Sequence, residues 1–128
     1  MVQSALRILI ADDEEVVRLF LARVLEDMGL KCDFAVDGKD CVRRFENDGP
    51  YDLLFLDLVM PRMDGEETLQ AISAAYPDTS IIMLSVQDDE AAIKELLSEG
   101  ATVYLTKPIS ADAIREVVNQ ISEMRSST

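Results

Sequence analysis

Leu6-Arg7-Ile8-Leu9-Ile10-Ala11-Asp12-Asp13 sets the architecture. A short, nearly unbroken apolar run reads as a strand buried on both faces of a parallel sheet. The run nevertheless ends in two carboxylates, whose burial is costly unless cations or hydrogen bonds compensate. The arrangement recurs downstream. Leu53-Leu54-Phe55-Leu56 runs into Asp57, and Val103-Tyr104-Leu105-Thr106 runs into Lys107. Three strand-end carboxylates and a strand-end lysine point to a site that binds a metal ion and handles an anion.

Outward from these runs, strand and helix patterns alternate. Val16, Val17, Phe20, Leu21, Val24, Leu25 and Met28 recur at helical spacing, and Gly29 is placed to end that helix. Cys32, Phe34 and Val36 alternate as a second strand. Cys41, Val42 and Phe45 mark a short helix that Asn47-Asp48-Gly49-Pro50 breaks. The third strand spans residues 52–57. A loop with Pro61 and Gly65 then leads to a helix carrying Leu69 and Ile72, with Asp64 as its cap and Tyr76-Pro77-Asp78 at its end. Ile81-Ile82-Met83-Leu84 is the fourth strand. Ala92, Ile93, Leu96 and Leu97 stripe the next helix, closed by Gly100, and 103–106 is the fifth strand. Ser110 is placed to cap a last helix with Ile114, Val117, Val118, Ile121 and Met124 on one face. The pattern predicts an α/β fold: a five-stranded parallel sheet with five helices on both faces. Residues 1–128 read as one domain, without internal repeats.

Composition narrows the function. The 25 acidic residues outnumber 12 basic ones, for a net charge of −13. That field repels phosphate backbones, which argues against direct nucleic-acid binding and favours a basic protein or peptide partner. No apolar run approaches the roughly 20 residues of a membrane span. Met1 to Ala5 lacks the charged leader of a signal peptide. Cys32 and Cys41 are too few for a disulfide scaffold, so the expectation is a reduced, cytoplasmic protein with both thiols in packing roles.

The site chemistry follows from topology. Open parallel sheets bind ligands beyond the carboxyl ends of their strands, where the winding direction switches. For strands ordered 2-1-3-4-5, the switch lies between the first and third, and Asp12 and Asp13 face Asp57 across one strand spacing of ~4.8 Å. Such carboxylates repel by about 4 kcal/mol at ~4 Å in a semi-exposed site. A hard divalent cation relieves this, and Mg²⁺ suits few carboxylates, bound water and a phosphoryl oxygen. Ser85 ends the fourth strand. Lys107 ends the fifth, about 10 Å from Asp57 by strand spacing, a gap its side chain can largely cover. Carboxylate nucleophile, metal, hydroxyl and ammonium are the parts needed to accept a phosphoryl group. Asp57 would attack phosphorus while Mg²⁺ and Lys107 offset charge on the phosphoryl oxygens.

These residues resemble the receiver domain of bacterial two-component response regulators, most closely the single-domain chemotaxis type. The resemblance rests on Ile8 to Glu14, on Asp57-Leu58-Val59-Met60-Pro61-Arg62-Met63-Asp64-Gly65, on Ser85, and on Gly100 to Pro108. With the topology rule, it supplies the strand order 2-1-3-4-5 of a flavodoxin-like fold. It implies phosphorylation of Asp57 by the phosphohistidine of a sensor histidine kinase or phosphotransfer protein. It further implies Mg²⁺ held by Asp13, Asp57 and the main-chain carbonyl of Val59, with Asp12 acting largely through water. A cis bond before Pro108 is also implied, as is a switch in which Ser85 moves toward the phosphoryl group and the Tyr104 ring follows. The surface so altered would be the fourth helix, fifth strand and fifth helix, and its target an output protein or a fused effector domain.

Several positions depart from the family pattern. Val59 has no side-chain group to bind a hydrolytic water, whereas Gln87 does. Val86 is larger than the small residue usual beside the switch hydroxyl. Together they predict a long-lived phosphorylated form. Ala101-Thr102-Val103 lacks the acidic residues of the dimer face found in receivers of winged-helix regulators. Two other classes fit less well. A flavodoxin needs a Ser/Thr/Gly phosphate loop where this chain has Asp12-Asp13-Glu14-Glu15. A haloacid-dehalogenase-like phosphatase carries Asp-x-Asp after its first strand, where this chain has adjacent aspartates. A degenerate receiver that only binds partners would not need the complete acidic, hydroxyl and lysine set.

Overall fold

The computed structural model describes residues 6–60 and 62–126. Met1 to Ala5 and Pro61, which figured in the expectations above, lie outside them. The elements are β1 (Ile8–Ala11), α1 (Glu15–Asp27), β2 (Cys32–Ala35), α2 (Gly38–Asp48), β3 (Leu53–Asp57), α3 (Gly65–Ala75), β4 (Ser80–Ser85), α4 (Glu90–Ser98), β5 (Val103–Thr106) and α5 (Ala111–Ser126). The five strands form one parallel sheet in the order β2-β1-β3-β4-β5.

Strand alternation divides the core in two. Leu9, Leu54, Leu56, Ile81 and Met83 point to one face, where they meet Phe45, Leu69, Ile72 and Leu96 from α2, α3 and α4. Ile8, Ile10, Leu53, Phe55, Ile82 and Leu84 point to the other, against Leu21, Val24 and Leu25 of α1 and Ile114, Val117, Val118 and Ile121 of α5. Both faces are thus dry, which is why β1, β3 and β4 have continuous apolar sequences. Burial pushes the Cys41 thiol up to about 12 and the Cys32 thiol up to about 11, so both stay protonated as packing groups.

Local signals set the boundaries. Gly29 follows α1 at φ +82, a left-handed conformation that glycine adopts without penalty. Asp64 caps α3 with a capping box, accepting from the Glu67 N–H while the Glu67 carboxylate accepts from its own. Ser110 Oγ accepts from the Ala113 N–H at the start of α5.

Several side chains differ from expectation. Val16 and Phe20 of the α1 stripe and Met124 of the α5 face are exposed. Val36 lies just past β2 and is half exposed, because this edge strand stops at Ala35. Leu97 is exposed, and α4 is seated by Leu96 as its one buried side chain. The Lys107–Pro108 bond is cis, as the family resemblance implied, and so is Gly49–Pro50.

Candidate functional site

The strand ladder continues past the carboxyl edge of the sheet and fixes the residues there. The Asp12 N–H donates to the Ala35 carbonyl at 3.2 Å, the Leu58 N–H to Leu84 at 2.9 Å, and the Lys107 N–H to Ser85 at 2.7 Å. Asp12, Asp57, Ser85 and Lys107 are therefore placed by backbone pairing rather than by mobile loops. The turn after β3 is equally close. A Cβ on Gly65 would sit 2.3 Å from the Asp57 carbonyl oxygen, so only glycine lets α3 begin here.

The side chains converge on one point. Lys107 Nζ lies 3.1 Å from Asp12 Oδ2, 3.2 Å from Glu14 Oε1 and 3.3 Å from Asp57 Oδ1. Asp12 is fully buried and Asp57 nearly so. The second oxygen of Asp12 accepts from the Glu14 N–H at 2.8 Å, and Arg18 donates to the Asp12 carbonyl at 2.6 Å. Above Asp57 opens a cavity of about 420 Å³, lined by Asp13, Glu14, Asp57, Val59, Ser85, Val86 and Lys107.

The electrostatics match this crowding. Burial, and then the neighbouring Asp12 charge, push the Asp57 carboxyl up to about 6, despite the lysine beside it. Burial likewise raises Asp12 above the ordinary carboxylate range. Burial pulls the Lys107 ammonium down, but Asp57 and then Asp12 hold it above its usual value, so it remains charged. The site has more negative charge than one lysine satisfies.

That imbalance is a test of fit for a cation. Oxygens of Asp12, Glu14 and Asp57 all lie within 4.8 Å of one another, an all-oxygen donor set of the kind hard divalent ions take. Asp13 is exposed and lines the cavity without joining that trio. Glu14 is the member of the carboxylate cluster around Lys107 that the sequence pattern did not single out. It occupies the N-cap of α1 without making a side-chain cap bond. Its reach to a lysine on another strand is a tertiary fact with no local signature.

The switch candidates are linked through one residue. Ser85 Oγ accepts from the Gln87 N–H at 3.0 Å, and the Tyr104 hydroxyl donates to the Gln87 carbonyl. Tyr104 is half-buried, its ring packed on the α2–α4 side of the sheet. Val59 and Val86 are largely exposed at the cavity mouth.

Sequence and fold comparisons agree with this picture. Residues 8–119 match the response regulator receiver domain. The chain is 31% identical to the transcriptional regulatory protein DegU of Brevibacillus brevis, over 94% of this chain and 52% of that protein. It is 29% identical to the chemotaxis protein CheY of Listeria monocytogenes, over 92% of this chain and 99% of that one. It spans about half the length of the first curated relatives it matches. Among solved structures, the receiver domain of Francisella response regulator 1452 superposes with a TM-score of 0.86 at 31% identity, covering 94% of this chain and 98% of that one. Chemotaxis protein CheY4 of Vibrio cholerae gives 0.85 at 25% identity, covering 92% and 99%. The matches are to receiver domains of two-component systems, for which a phosphoacceptor role is standard. The chain belongs to the response regulator receiver domain family. Receiver domains bind Mg²⁺ at such an acidic pocket, and response regulators partner with histidine kinases. Among the described residues, no helix is long and apolar enough to cross a membrane.

Proposed function

We propose that Asp57 of this chain accepts a phosphoryl group from the phosphohistidine of a sensor histidine kinase or phosphotransfer protein, and that residues 1–128 act as one receiver unit in the cytoplasm. The observation carrying this reading is Asp57 at the floor of the 420 Å³ cavity, with Lys107 Nζ 3.3 Å away. An Asp57 oxygen forms the new O–P bond as the N–P bond of the donor breaks. The departing electron pair stays on the donor imidazole, which takes up a proton from water.

Lys107 donates to the phosphoryl oxygens where charge accumulates. Asp13, Asp57 and the Val59 carbonyl would hold Mg²⁺, with Asp12 acting largely through water. When bound, the ion neutralises phosphoryl charge. The donor surface must cover the rim of the cavity, where exposed Val59 and Val86 stand beside exposed Asp13 and Glu14. Val16, Phe20 and Val86 are exposed and, with Ile109, border an adjoining hollow of about 550 Å³. The test is incubation with Mg²⁺ and acetyl phosphate, then intact mass and peptide mapping. Label on any residue other than Asp57 would refute the assignment.

Ser85 and Tyr104 form the output route. A hydrogen bond from Ser85 to a charged phosphoryl oxygen is worth about 1.5–3 kcal/mol, enough to shift a two-state population roughly 10- to 100-fold. Moving Ser85 breaks its bond to the Gln87 N–H, and Tyr104 is tied to the same residue through its carbonyl. The surface formed by α4, β5 and α5 changes, and an output protein or fused effector domain reads it. Ser85→Ala is expected to take up label yet lose the phosphorylation-dependent chemical-shift changes in α4 and β5. Retention of those changes would rule this route out.

Val59, Val86 and Gln87 set the lifetime of the phosphorylated form. Val59 is 71% exposed over the cavity but has no group to orient a water. Val59→Asn adds one and should speed hydrolysis about two- to tenfold, the value of one neutral hydrogen bond. An unchanged decay rate, followed by loss of label, would show that water entry is limited elsewhere.

A further inference from the structure

Lys107 has three ammonium protons and three carboxylate neighbours, at 3.1, 3.2 and 3.3 Å. Its hydrogen bonds go to Asp12 and Glu14. A phosphoryl group on Asp57 brings further oxygens into competition for the same ammonium, and a present partner that can let go is displaced. Asp12 cannot: its side chain is fully buried and pinned by the Glu14 N–H. Asp57 carries the new group and stays. Glu14 differs from both, because its side chain is 62% exposed and water can take over its hydrogen bond. It also stands where its negative charge opposes an incoming phosphoryl dianion.

Glu14 is not otherwise engaged by the helix it begins. An N-cap side chain ordinarily accepts from the first turn, yet the Glu14 carboxylate makes no such bond and reaches Lys107 instead. We propose that Glu14 is a positioning residue: its carboxylate holds the Lys107 ammonium before transfer and is the partner Lys107 gives up when Asp57 is phosphorylated. This deepens the phosphoacceptor reading and rests on it. Because the bond is made before transfer and absent after it, Glu14 favours the unphosphorylated state. Removing its charge favours the phosphorylated one.

The test uses Mg²⁺ and beryllofluoride as the phosphoryl stand-in, titrated by NMR because the chain has no tryptophan. Glu14→Gln is expected to bind beryllofluoride two- to fivefold more tightly, the effect of losing one part-exposed ion pair (roughly). Glu15→Gln removes an equal charge from the exposed first turn of α1 and should leave the affinity unchanged. In a Lys107→Met background, the gain from Glu14→Gln should vanish. The ammonium resonance of Lys107 provides a check without that background: Glu14→Gln should shift it in the free protein but not in the beryllofluoride complex. Equal gains from Glu14→Gln and Glu15→Gln, a gain that survives Lys107→Met, or a Lys107 resonance indifferent to Glu14 would each overturn the proposal. Failure of the wild type to bind beryllofluoride would instead sink the role of Asp57, which keeps the two failures apart.

Discussion

In metal-free buffer at pH 7, Asp57→Asn is expected to melt above the wild type while taking up no phosphoryl label. The gain comes from the electrostatics of the β3 terminus. Burial, then Asp12, push the Asp57 carboxyl from 3.8 to about 6, with the attraction of Lys107 already included. A folded value above the unfolded one means that the folded state binds the extra proton more tightly. This group therefore weakens the fold fully above about pH 6, and the penalty fades as pH falls toward 3.8. The ceiling is about 3 kcal/mol. The isosteric amide escapes it, so a gain of about 1–3 kcal/mol, or roughly 4–10 °C, is expected at pH 7. Calorimetry at stepped pH should show the two proteins converging near pH 4. Millimolar Mg²⁺ should narrow or reverse the difference, because it binds the charged wild-type site and stabilises it. Identical melting temperatures across that range would contradict the account of the site.

Lys107→Met is expected to act in the opposite direction. The change leaves Asp12, Glu14 and Asp57 facing one another with no counter-ion from the protein. Breaking a buried ion pair from one side is strongly destabilising, and here the ammonium is largely buried with one exposed partner. A loss of about 2–4 kcal/mol in metal-free urea denaturation is expected, recovered in large part by Mg²⁺. Phosphorylation should slow about a hundredfold even at saturating Mg²⁺, since a donor aimed at developing charge has been removed. A variant as stable as wild type without metal would mean that Lys107 is not the counter-ion of the cluster.

Much of this site can be read from the chain because it sits where strand and chemistry change together. In a parallel sheet buried on both faces, Leu53 to Leu56 must be apolar, so the charge at Asp57 stands out against them. Asp12 and Lys107 stand out in the same way, and the strand order then places all three at one edge. The rest depends on contacts that no local pattern encodes. Glu14 looks like any acid at a helix start, and only the packed structure brings it to Lys107. Val36 continues the alternation of β2, yet the edge strand has already ended and the side chain faces water. Leu97 fits the apolar stripe of α4, yet one buried position, Leu96, suffices to seat that short helix. The link from Ser85 through Gln87 to Tyr104 joins two strands through a main-chain group, which side-chain identity does not reveal.

That shallow seating of α4 has its own consequence. α5 is anchored by four buried side chains and α4 by one. Opening α4 exposes little apolar surface, so its amides exchange with deuterated solvent through a local event, well before the whole domain unfolds. Among the helices described, α4, which begins shortly after Gln87, is thus the one that can be reshaped for the least work.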